Sequence, residues 1–112
     1  MLYWIWLYLT NRVRFWDFML QSSVLDEKIS KFLSSDAPIK EAYLKYDGAK
    51  DVCWFVIELG ANSGSLMVEL DQNGNAGSSY ESDYWSLCGV YPSGANLFIL
   101  NKMIDEFFND RG

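Results

Sequence analysis

The chain of 112 residues is half apolar, enough for one domain to bury a core without metals or several disulfides, and its fifteen Asp and Glu against nine Lys and Arg give a formal charge of −6. That balance opposes the phosphate neutralisation on which nucleic-acid binding depends, so no nucleic-acid partner is expected. The absence of histidine excludes Ser-His-Asp and Cys-His catalysis and histidine-containing zinc sites, and the expectation is a non-enzyme with no cofactor and no bound metal.

Met1 to Leu9, MLYWIWLYL, is an unbroken apolar run. A spanning helix needs about 20 apolar residues, and Thr10, Asn11, Arg12, Arg14 and Asp17 intervene too soon, so no membrane span is expected. The run lacks the basic start and small-residue cleavage site of a secretory signal, which together with only two distant thiols, Cys53 and Cys88, points to a reduced, cytoplasmic setting. Read as a helix, Met1 to Leu20 places Thr10, Arg14 and Asp17 on one face with Gln21, and Val13, Trp16 and Leu20 on another. Read as strands, it forms a hairpin turning at Thr10 to Arg12. Burial in the core is the expected fate of such a run, and an aromatic segment of this kind also offers a surface for a partner or for a homodimer.

Ser23 is placed to cap a further helix in which Leu25, Ile29, Phe32 and Leu33 recur at helical spacing, while Asp26, Glu27, Lys28 and Lys31 face water. Ser34 to Pro38 ends it. The period then becomes two, giving expected strands at Ala42 to Tyr46, Val52 to Leu59 and Leu66 to Leu70, joined by short Gly, Asn and Asp-rich turns that favour a meander. A fourth strand fits Tyr84 to Val90, preceded by a polar loop at Ser78 to Asp83. Pro92, Ser93 and Gly94 introduce a final helix with an apolar stripe of Leu97, Leu100, Ile104, Phe107 and Phe108. The expected fold is α+β: an antiparallel meander of three to four strands, with N-terminal helical segments and a C-terminal helix packed on one face, in a single domain over residues 1–112.

No Lys or Arg occurs between Lys50 and Lys102, whereas Asp51, Glu58, Glu69, Asp71, Glu81 and Asp83 all fall there. Such a stretch either confers solubility or steers a basic partner. Glu58, Glu69 and Asp71 sit in or beside adjacent expected strands, the one arrangement from which acid–base chemistry could be built. Asp71-Gln72-Asn73-Gly74-Asn75 has the alternating oxygens of a calcium loop, but its glycine is one place late and its twelfth position is Ser82, so a hairpin turn is the simpler expectation. No glycine pattern matches a phosphate cradle.

Tyr80-Glu81-Ser82-Asp83-Tyr84-Trp85 interleaves acids with aromatics, the mixture that pairs with Lys or Arg while supplying buried contact area. Small size, an acidic half without compensating bases and no recognisable catalytic set lead to an expected function. The chain reads as an inhibitor that blocks a basic protein partner, such as an immunity protein neutralising a nuclease toxin or a phage anti-defence protein. Its expected contact residues are Glu69, Asp71, Tyr80, Glu81, Asp83 and Tyr84. The alternative is a non-catalytic adaptor or homo-oligomeric structural domain.

Overall fold

In the computed structural model the described residues are 21–111. The helix-or-hairpin alternatives for Met1 to Leu20, and a homodimer through that segment, lie outside them. Helix α1 occupies residues 21–33, so Ser23 is inside a helix already under way and is not its N-cap. Leu25 and Ile29, one turn apart, are fully buried, and each contributes roughly 1.5–3 kcal/mol by leaving water. Two of the charged residues expected in water are engaged instead: Lys28 lies 5.4 Å from the centre of the Trp85 ring, and Asp26 binds the second helix. Glu27 and Lys31 stay at the surface as an i,i+4 pair, 3.4 Å apart.

Five strands follow: β1 (Ile39–Asp47), β2 (Val52–Leu59), β3 (Ser65–Leu70), β4 (Ala76–Ser82) and β5 (Ser86–Cys88). They form one antiparallel sheet in the order β1-β2-β3-β4-β5, a meander with one strand more than the upper end of the expected range. The segment Ser78 to Asp83, expected as a polar loop, lies almost wholly in β4. Its backbone is paired on both sides, Val68 with Tyr80 towards β3 and Tyr80 with Leu87 towards β5, so ladder hydrogen bonds compensate for weak strand propensity. The turn before it is locked by the Asp71 carboxylate, which accepts from the backbone N–H groups of Asn73 and Asn75 at 2.9 and 3.0 Å. The β2–β3 turn uses left-handed backbone at Ala61, Asn62 and Gly64.

Helix α2 (Gly94–Arg111) completes the order. The core joins Leu25 and Ile29 of α1, Leu100 and Ile104 of α2, and Phe55, Ile57, Leu66, Val68 and Tyr80 of the sheet. Those five sheet residues alternate along their strands and share one face, so both helices lie on that side. Phe107 adds an edge-on contact with Phe55 at 5.4 Å, whereas Phe108, expected in the same stripe, is exposed. Asn101 ties α2 to the sheet by accepting from the backbone N–H of Ala76 at 2.7 Å. Among the described residues no helix is long and apolar enough to cross a membrane.

Candidate protein-binding face

Alternation along the strands fixes what the helices leave uncovered. Tyr43 pairs with Val56, Lys45 with Trp54, Val56 with Met67, Trp54 with Glu69 and Met67 with Glu81, so these residues share the face opposite the helices. Glu41 stands opposite Glu58 on that face, and Ser79 opposite Cys88. The face therefore has an apolar centre of Trp54, Val56 and Met67, with Glu41, Glu58, Glu69 and Glu81 spread around it and Lys45 at one side. Trp54 and Val56 are buried, at 7% and 2% exposed, whereas Met67 and Tyr43 are half-buried. Depressions of about 340 and 300 Å³ flank Trp54, the first reaching Lys45, Lys50, Met67 and Glu81, the second Val52, Glu69, Ser79, Glu81 and Cys88.

The carboxylates at the β2–β3 end are held by hydroxyl groups. Tyr43 donates to Glu58 Oε1 at 3.0 Å, and Ser65 donates to Asp83 Oδ1 at 3.1 Å. The bond to Glu58 favours the protonated phenol and raises the Tyr43 pKa, aided by desolvation and by the negative charges of Glu58 and Glu41. Because Ser65 is the cross-strand partner of Glu58, this end forms a polar row from Tyr43 through Glu58 and Ser65 to Asp83.

The six residues expected at a contact surface fall in four places. Glu69 and Glu81 are half-buried on the open face beside Trp54. Asp83 and Tyr84 lie in the β4–β5 turn, where Tyr84 is 87% exposed, and Asp71 lies at the far end of β3, its carboxylate engaged in the turn. Tyr80 is a core residue. Its side chain has no exposed surface, points to the helix side and donates its hydroxyl proton to the Gly77 carbonyl oxygen at 2.7 Å, so it is not available to a partner. Trp85 is half-buried against the core.

Residues that sequence reasoning left out of the site are Trp54, Tyr43 and Glu41. The signal for Trp54 was present in the alternation Val52, Trp54, Val56, Glu58, but the unbroken apolar run VCWFVIEL hid it, since both faces of β2 carry large apolar side chains. Glu58 and Glu69, considered for acid–base chemistry, do not converge: Glu69 lies opposite Trp54, four residues along β2 from Glu58, a separation of roughly 13 Å. The two thiols also stay apart, with Cys53 on β2 facing the helix side and Cys88 on β5 facing the other, and both are free.

Comparison with known proteins finds no match to a family model, a curated sequence or a solved structure.

Proposed function

We propose that the chain is a small acidic inhibitor that engages a basic protein partner through the open face of its sheet. The observation that supports this is the gathering of Glu58, Glu69 and Glu81, from three adjacent strands, around the apolar floor of Trp54, Val56 and Met67. Apolar centres ringed by charge are the anatomy of protein-binding patches; here Trp54 and Val56 are buried and form the floor, the half-buried Tyr43 and Met67 offer the apolar contact surface, and the charges supply steering and register. The stretch from Asp51 to Asn101 contains no base, so strands β2 to β5 contribute only acids to the face, and Lys45 and Lys50 border it at the β1–β2 end; the excess of negative charge accelerates capture of a cation-lined cleft. Asp83 and Tyr84, in the exposed β4–β5 turn, extend the surface beyond the sheet. By analogy of class, a cleft that binds nucleic acid is a fitting target, as in immunity proteins against nuclease toxins or phage proteins that disarm a defence nuclease.

The test is affinity capture from host lysate at low and high salt, using the natural chain and the double variant Glu69→Lys, Glu81→Lys. The expected result is one basic partner, recovered at low salt, reduced at high salt and lost with the variant, whose association rate falls ~10-fold or more. The purified chain should also block that partner's activity. Equal recovery by a folded double variant would move the contact off this face, and a partner bound without loss of its activity would replace inhibition with an adaptor role.

A further inference from the structure

Strand β1 is an outer strand of the sheet, and six of its nine residues are exposed. Among the described residues nothing pairs with its free edge, whereas the opposite edge is the three-residue β5. A long free edge presents a row of backbone donors and acceptors that another strand can complete. Lysines on an edge normally discourage this, and β1 carries Lys40 and Lys45. The sequence around Tyr43 changes that expectation, because it is complementary to itself when reversed.

We infer that β1 is a homodimerisation strand, pairing antiparallel with β1 of a second copy about a two-fold axis beside Tyr43. In that register Tyr43 faces Tyr43 of the second copy, and Glu41 of each copy stands directly opposite Lys45 of the other, twice by symmetry. All three residues lie on the open face, so the opposed side chains come within reach of one another. On the helix side, Leu44, which is 40% exposed, meets Ala42 of the second copy. The irregularity between Ile39 and Glu41 limits regular pairing at the start of β1, leaving Glu41 to Lys45 as the central segment. The lysine that would guard a free edge thus becomes half of a cross-strand ion pair. The ten-stranded sheet so formed keeps Glu58, Glu69 and Glu81 of both copies on one continuous face.

Sedimentation equilibrium on the full chain tests this with four proteins: the natural sequence, Glu41→Lys, Lys45→Glu, and the double variant carrying both changes. The natural chain is expected to dimerise. Each single reversal places like charges opposite one another at two symmetric positions and should raise the dimer dissociation constant ~10-fold or more. The double variant should recover the dimer. Mixing the two single variants should give a heterodimer, since each supplies the charges the other lacks, and that outcome cannot arise from damage to the fold. A natural chain that stays monomeric, a dimer unmoved by either reversal, or single variants that fail to recover together would each overturn the inference. Dimerisation unaffected by the reversals would assign self-association to another surface.

Discussion

Tyr80 carries a consequence that its surroundings fix. Burial raises the pKa of its phenol above the ordinary value, with a smaller contribution from the charge of Tyr91, because the phenolate would lose its hydration. In the unfolded chain the same group ionises near pH ~10, so above that pH the unfolded state releases a proton that the folded state keeps. Stability from this residue is therefore complete below about pH 10 and falls as the pH rises towards the folded value, by up to ~1.4 kcal/mol per pH unit. Tyr80→Phe should cost ~1–3 kcal/mol at neutral pH by leaving the Gly77 carbonyl unsatisfied, yet lose less than the natural chain between about pH 8 and pH 11. Urea unfolding at both pH values checks this, and parallel losses in the two proteins would contradict it. Tyr43 and Tyr46 are shifted in the same direction by their bonds to Glu58 and Asp51, but they are present in both proteins and cancel in the comparison. The sequence reading placed Tyr80 at the surface because its neighbours Ser78, Ser79, Glu81 and Ser82 are all polar. Hydropathy cannot register a strand with one large apolar side chain. The close approach of Gly77, where a Cβ would fall 2.8 Å from the Glu69 carbonyl oxygen, is likewise invisible without the partner strand.

The contact between the two helices depends on Asp26 at the scale of whole elements. Its carboxylate accepts from the backbone N–H of Ser93, just before α2, and from Asn96 at 3.3 Å, while Asn96 also donates to the Asp26 carbonyl at 3.2 Å and to Ser30 at 3.1 Å. A carboxylate at a helix N-terminus satisfies an otherwise unbonded N–H and complements the positive end of the dipole. Asp26→Ala should therefore destabilise by ~1–3 kcal/mol, with the loss reflected in weaker amide-exchange protection of the first turn of α2. Unchanged protection there would mean that apolar packing of Leu97 and Leu100 is enough to hold that turn. The apolar stripe of α2 and the turn-bounded apolar runs of β2 and β3 were legible because each extends over several residues, although which face each β2 side chain takes was not. The link from Asp26 to Ser93 was not, because it joins residues 67 apart and its donor is a backbone group. The same limit concealed the open face, whose residues come from five strands and share a surface only once the register is known.

Charge acts on the molecule as a whole, and its sign can be read from how little of it is paired. Among the described residues one ion pair is formed, between exposed Glu27 and Lys31, and such pairs contribute little. Against it stand Glu41 directly opposite Glu58, and Glu69 and Glu81 on the neighbouring strands of the same face. The hydroxyl groups of Tyr43 and Ser65 satisfy oxygens at this face but bring no positive charge, and Lys45 and Lys50, which border it beside Trp54, form no ion pair with its carboxylates. Folding thus concentrates like charges that the unfolded chain holds further apart, and salt should stabilise the fold by screening them. Between about 0.01 and 0.15 M ionic strength the screening length shortens from ~30 to ~8 Å, which covers repulsion across the face. The expected outcome is a higher urea midpoint at the higher ionic strength, by a few tenths to about 1 kcal/mol in stability. Reversing Glu69 and Glu81 to lysine moves the formal charge by four, from −6 to −2, and should shrink that gain. A midpoint that falls with salt would mean that attractive pairs outweigh this repulsion and that the acidic face is already balanced within the chain. It would then have less reason to seek a basic partner.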